Sequence, residues 1–349
     1  MEMFVGFRRG GESDPFNTGD KDPRFERLPE TACETRGQII LYFTTQQTWQ
    51  FHNWTFSIGI FGNIARLFRW DRAGAIVSDP IPYCKEGNRD SLDFLRRFDM
   101  MDRIQRGWDP MGFDATLEET TALEKAVKGI VEKGPEEATA FEKAIKDVAE
   151  EGQGVFLKSP FATVGNGVKY PRKRIKIPEP DGEGERVVSY IVGRSIERAK
   201  SPTGRATRGF VAMSMDTKRL VSLKDSWCPN LSGMKGEGQW FQKLKGERNV
   251  SAFLQGSDVV VRRRGNRDSG SDLIQHTLTN AHSKKPPGMQ KLMGYIHYWT
   301  VQCEFYVPLD MFRDSKHLTE IIRNIANGAS LFSFVRVHYS IALSHTGPV

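Results

Sequence analysis

The 349-residue chain predicts an α+β fold, with a mixed α/β N-terminal part followed by an antiparallel sheet and one packed helix. Three observations lead there. Short apolar segments broken by turn residues run from Thr55 to Val77, and a Pro- and Gly-rich stretch from Tyr170 to Gly184 interrupts the chain. Beyond it, a second series of β-type segments carries a glycine-patterned hairpin and a lysine.

Residues 1–36 are rich in Gly, Asp, Arg and Pro without periodicity, which predicts a loosely ordered arm. An N-terminal mixed domain over 37–168 then opens with a short helix from Gln38 to Phe51. Strands are expected at Thr55–Phe61, Ile64–Trp70 and Ala75–Val77, with turns at Gly62-Asn63 and Asp71-Arg72-Ala73-Gly74. A tight turn accounts for Asp71 and Gly74 without any ligand. Leu92, Leu95, Phe98, Met101 and Ile104 recur near helical spacing, so Asp90–Ile104 should pack as an amphipathic helix on that sheet. A helical insertion near 117–152 follows from an internal repeat: the octet starting at Thr121 returns in similar form at Thr139. Gly134-Pro135 should break it into two helices.

Residues 169–185 read as a linker, because Pro171, Pro178 and Pro180 flank an Asp-Gly-Glu-Gly turn. The second folded unit covers 186–312, with strands at Val187–Val192, Gly209–Met215 and Arg219–Leu223 and a helix at Gly233–Lys245. A strand region at Ser257–Arg263, a polar loop from Gly265 to Gly288 and a strand pair near Met293–Val307 complete it. A final helix, Lys316–Asn327, lies in the segment 313–349.

Charge is divided unevenly. Residues 1–184 hold 26 Lys/Arg against 30 Asp/Glu, and residues 185–349 hold 24 against 13, so the basic excess sits in the second half and suits an anionic ligand. No run of eighteen apolar residues and no apolar leader core occurs, so an intracellular protein, cytoplasmic or nuclear and without membrane contact, is expected. Cys33, Cys84, Cys228 and Cys303 are too scattered for a zinc or disulfide framework and are expected as free buried thiols. The seven histidines form no helical metal pair. Arg262-Arg263-Arg264 lacks interleaved aromatics, which makes nucleic-acid binding a minor expectation.

The chemistry concentrates between residues 202 and 237. Gly204, Ala206, Gly209 and Val211 fall at the offsets of Gly-x-Gly-x-x-Gly-x-Val, with alanine in the middle position. Such a turn lets backbone approach phosphates closely, and Lys224, thirteen residues after Val211, adds a fixed cation on the next strand. Glu237, on the following helix, is placed to hold that lysine by an ion pair.

At these residues the sequence resembles the fungal-type protein kinase family. The likeness is carried by Ser201 to Gly209, Leu223-Lys224-Asp225-Ser226-Trp227, Gly236-Glu237-Gly238, His297-Tyr298 into Pro308-Leu309, Asp314 through Arg323, and Ala65 to Ala75. It runs in order over roughly 55–112 and 187–325. The resemblance implies a kinase-like N-lobe at 186–312, an incomplete start of a C-lobe at 313–349, and ATP with Mg²⁺ as ligands. It implies nucleotide contacts from Gly204, Ala206, Gly209, Val211, Lys224 and Glu237, with Glu304 and Tyr306 at the hinge that meets adenine.

Neither His-Arg-Asp nor Asp-Phe-Gly occurs in the sequence, and the catalytic aspartate position falls on Ser340, which is no general base at neutral pH. The expectation is therefore a member of that family, nominally a Ser/Thr protein kinase, that is inactive in this form. The alternatives are a pseudokinase or protein-interaction module, whose N-terminal domain contacts a partner, and a truncated gene fragment that leaves an apolar face uncovered.

Overall fold

The computed structural model describes residues 2–17, 24–131, 163–164, 168–169, 172–179, 186–195, 201–234, 236–246, 250, 252–261, 273–282, 292–303 and scattered positions between 314 and 326. The fold is α+β, built on two main sheets.

The first sheet has the order β1-β2-β3-β4, formed by β1 (Met3–Arg8), β2 (Thr55–Phe61), β3 (Ile64–Asp71) and β4 (Gly74–Val77). β2, β3 and β4 make the expected antiparallel meander, while β1 joins β2 in parallel. Helix α1 (Glu30–Trp49) lies on this sheet, and Ile39 and Phe43 meet Phe4, Phe16, Phe61, Phe68 and Trp70 in one apolar cluster. Phe43, Trp70 and Phe68 stack in succession, with centroids 4.8 and 5.5 Å apart.

The described part of residues 1–36 is thus no loose arm. Asp14 is buried and accepts from Arg66 Nε at 2.8 and 2.9 Å, while the same guanidinium donates to the Ser78 and Phe16 carbonyls. A buried arginine with its donors met in this way pins the chain that supplies its acceptors. α1 also begins eight residues earlier than the apolar pattern indicates, because its first turns carry mostly polar side chains. Helix α2 (Asp90–Met100) rests on the sheet through Phe94 and Phe98 against Phe56, whereas Leu92, Leu95 and Ile104 stay exposed.

The second sheet has seven strands, every neighbouring pair antiparallel, in the order β12-β15-β11-β10-β9-β8-β5. These are β5 (Gly112–Asp114), β8 (Lys173–Pro178), β9 (Val187–Val192), β10 (Arg208–Ser214), β11 (Leu220–Pro229), β12 (Phe253–Asp258) and β15 (Tyr295–Gln302). Two short hairpins stand apart, β6 (Thr163–Val164) with β7 (Val168–Lys169) and β13 (Val260–Val261) with β14 (Leu273–Ile274).

Two expectations fail here. The presumed linker contains β8, whose alternation buries Ile175 and Ile177 completely beside β9. Its prolines end the strand rather than abolish it, since Pro178 occupies the last position. Strand β5 comes from the presumed N-terminal domain yet edges the same sheet, so the boundary at 186 does not separate two units.

Helix α3 (Leu117–Val131) also sits elsewhere than expected. Its apolar stripe, Leu123, Val127 and Ile130, packs on Ile191, Val211 and Met213 of the seven-stranded sheet. Its start is a capping box in which the Glu119 N–H donates to Thr116 Oγ1 at 3.2 Å and the Thr116 N–H to Glu119 Oε2 at 2.8 Å. The second copy of the repeat lies outside the described residues.

The opposite face of the sheet buries Phe210, Ala212, Leu223, Trp299 and Val301 against Phe51, two residues past the end of α1. Helix α4 (Glu237–Lys243) is shorter than the expected Gly233–Lys245, and α5 (Thr279–His282) interrupts the expected polar loop. One strand, β15, replaces the expected pair near 293–307 among the described residues. None of the four cysteines is in a disulfide and none is buried as expected: Cys84 and Cys303 are exposed and Cys33 and Cys228 half-buried. Among the described residues no helix is long and apolar enough to cross a membrane.

Candidate functional site

The hairpin β10–β11 sets the site. In its ladder Gly209 pairs with Lys224 and Val211 with Ser222, so alternation puts Val211, Ser222 and Lys224 on one face of the sheet. Asp225 and Arg208, also paired, face the other way.

Lys224 Nζ lies 2.6 Å from Glu237 Oε1, with the lysine side chain 29% exposed and the glutamate 14%. Local glycines explain how Glu237 comes so close. A Cβ on Gly238 would lie 2.5 Å from the Tyr298 hydroxyl, and one on Gly236 would lie 2.7 Å from the Tyr298 ring. Without those side chains, the start of α4 settles onto β15, and the Gly238 N–H donates to Tyr298 Oη at 2.9 Å. Arg205 adds a second cation, its Nη2 3.8 Å from Glu237 Oε2.

The glycine-patterned loop is folded back rather than open. Gly204 adopts φ +82°, and its N–H donates to the Arg72 carbonyl at 2.9 Å. The Arg205 carbonyl accepts from the Trp227 N–H at 2.8 Å. Ala206, where the pattern has its middle glycine, is buried at φ +39°, a left-handed conformation that side chains disfavour. The expected phosphate-cradling amide of Gly204 is therefore already engaged.

The partner of that engagement is the β3–β4 turn. Arg72 is fully buried and donates from Nη1 to the Pro202 carbonyl at 3.2 Å. Burial, and the neighbouring Arg208 cation, lower its pKa to about 9, so it remains charged at neutral pH. Asp71 accepts from the Ala73 N–H at 2.9 Å, as a turn residue should, and also from the Leu278 and Thr279 N–H groups at 2.8 and 2.9 Å. The turn is structural, as expected, but it also ties three loops together.

On the opposite face runs a buried polar chain that residue spacing did not reveal. Arg208 pairs with Asp225 and donates to the Gln50 carbonyl at 2.9 Å. His297 Nε2 meets Asp225 Oδ1 at 2.7 Å, His297 Nδ1 meets Gln275 Oε1 at 2.7 Å, and Gln275 Nε2 donates to Asp109 at 2.8 Å. Burial works to raise the Asp225 carboxyl, but Arg208 and His297 outweigh it and hold it well below the usual carboxylate range. At Asp109 burial wins and the carboxyl is raised. The signal available in the sequence was Asp225 itself, a carboxylate alternating with Leu223 and Trp227 on the inward side of a strand.

The residues fit a nucleotide in part. Lys224 and Arg205 place two cations beside a turn with left-handed backbone, where phosphate groups would fit. Val211, where the family resemblance implies a nucleotide contact, is 2% exposed beneath Leu123, Val127 and Ile130 of α3. A cavity of about 540 Å³ opens instead at the β10–β11 turn, among Arg186, Tyr190, Asp216, Arg219, Leu254 and Gln255, and neither Lys224 nor Glu237 lines it. Among the described residues no three of His, Cys, Asp and Glu gather to hold a metal ion. Glu304, Tyr306 and Ser340 lie outside the described residues. No protein-family model, curated protein or solved structure matches the chain.

Proposed function

We propose that the protein is a nucleotide-binding member of the fungal-type protein kinase family, with Lys224 orienting the phosphates, Glu237 holding Lys224 and Arg205 adding charge. The observation that carries the reading is the 2.6 Å pair between a lysine on the third strand of the β9–β10–β11 series and a glutamate on the helix that follows. Protein kinases use that same arrangement to fix the α/β-phosphates of ATP. Neither His-Arg-Asp nor Asp-Phe-Gly occurs in these 349 residues, so the proposal stops at binding and does not extend to phosphoryl transfer.

A second reading, a protein-interaction module that takes no nucleotide, is favoured by the burial of Val211 beneath α3. Thermal unfolding separates the two. Nucleotide binding predicts that Mg-ATP or pyrophosphate raises the melting temperature, by an amount equivalent to about 2.7 kcal/mol at a hundredfold excess over Kd, and that Lys224→Met removes the effect. If neither ligand shifts the wild type or an α3 variant such as Leu123→Ala, the nucleotide reading fails. An equal shift in Lys224→Met moves the site elsewhere.

A further inference from the structure

We infer that α3 is an intramolecular cap on the base-binding face of this site, so that nucleotide and α3 compete for the surface around Val211. The inference rests on the nucleotide reading above and concerns its regulation. Strand register places the competing surfaces together: Ile191 pairs with Met213, Met213 with Leu220, Val211 with Ser222 and Gly209 with Lys224. Ile191, Met213, Val211 and Lys224 therefore share one face, and α3 covers the first three.

The cap is held by two kinds of contact. Its apolar stripe is buried, with Leu123 at 0% and Val127 at 4% exposure. At its rim Arg174 reaches Glu119 at 3.1 Å and Arg172 reaches Glu124 at 3.5 Å. The phosphate end is not covered in the same way, since the Lys224 and Arg205 side chains remain 29% and 42% exposed.

A ligand that needs only the phosphate end should bind whether or not α3 is seated. A ligand with a base must displace it, and its apparent affinity falls by the fraction of molecules in which α3 has left. The test uses the full chain and titration calorimetry with Mg-ATP and with pyrophosphate. For Leu123→Ala/Val127→Ala, Mg-ATP should bind at least about tenfold more tightly than to the wild type, and pyrophosphate within about twofold.

Equal Mg-ATP affinity in the two proteins overturns the cap and leaves nucleotide binding standing. Failure of both ligands to bind either protein overturns the nucleotide reading and the cap with it. If the variant does not fold, hydrogen exchange on the wild type decides. Saturating Mg-ATP should speed exchange of the amides of residues 117–131, and unchanged or slower exchange refutes the cap.

Discussion

Gly209 stands directly opposite Lys224 in the β10–β11 ladder. The last glycine of the loop therefore leaves no β10 side chain across from Lys224, whose other cross-strand neighbour is Thr300 on β15, and the lysine reaches Glu237.

Removing that lysine should affect ligand binding far more than the fold. Lys224 is partly exposed, and an ion pair with this much solvent contact contributes about 1 kcal/mol or less to stability. Lys224→Met should leave the melting temperature nearly unchanged while abolishing Mg-ATP and pyrophosphate binding. Glu237→Gln, which keeps a hydrogen-bonding side chain, should weaken binding by about tenfold, or 1.4 kcal/mol.

The pair on the reverse face behaves oppositely. Arg208→Met would leave Asp225 buried at 1% exposure without its main cation, a change that costs about 3–5 kcal/mol in chemical denaturation. Arg208→Met/Asp225→Asn should recover part of that loss, because the orphaned charge is gone. An additive double variant would show that the two side chains do not interact.

His52 gives the fold an acid limit. Burial takes its imidazole from 6.5 down to about 3, so the folded protein binds that proton more weakly than the unfolded chain. Its contribution is complete above the unfolded pKa and is lost as the pH falls from 6.5 toward 3. Between pH 7 and pH 5 the loss is about 2 kcal/mol. Asp109, raised by burial, works in the opposite direction at the acid end, and the depressed Asp225 matters only below the usual carboxylate range. Comparing stability against pH for wild type and His52→Gln isolates the histidine part, which should vanish in the variant.

A small gain is available at the β10–β11 turn. Lys218 is exposed at φ +57°, where a side chain is strained and glycine is not. Lys218→Gly should raise stability by about 0.5–1 kcal/mol, the relief of strain exceeding the greater entropy of glycine in the unfolded chain. Urea denaturation would measure it.

Local chemistry wrote the parts of this fold that could be read in advance. The meander from Thr55 to Val77 and the hairpin β10–β11 show period-two alternation closed by turn residues, and both stand where expected, except that β11 runs on to Pro229 instead of ending at Leu223. Lys224 and Glu237, chosen because a strand lysine followed by a helix glutamate is the order of a kinase N-lobe, come within hydrogen-bonding distance. What escaped depends on distant partners. Met3–Arg8 becomes a strand because β2 offers it an edge, and Asp14 is fixed because Arg66 lies 52 residues away in sequence and next to it in space. Strand β8 was hidden by its own prolines, and nothing in the periodicity of α3 names the sheet it covers. The glycine pattern suggested an open cradle, and only the Arg72 carbonyl on Gly204 shows it closed.

Strands β5 and β8 meet with Asp114 directly across from Lys173. The chain thus leaves the sheet after Asp114 and re-enters it at Lys173, and α3 belongs to that excursion. Changing the length of such an excursion alters mainly a loop-closure entropy that grows slowly with length, so the strand order tolerates insertions there as long as α3 stays on Ile191, Val211 and Met213. The cap travels with the excursion. Deleting it would uncover Ile191, Val211 and Met213 while leaving the lysine and its glutamate in the sequence.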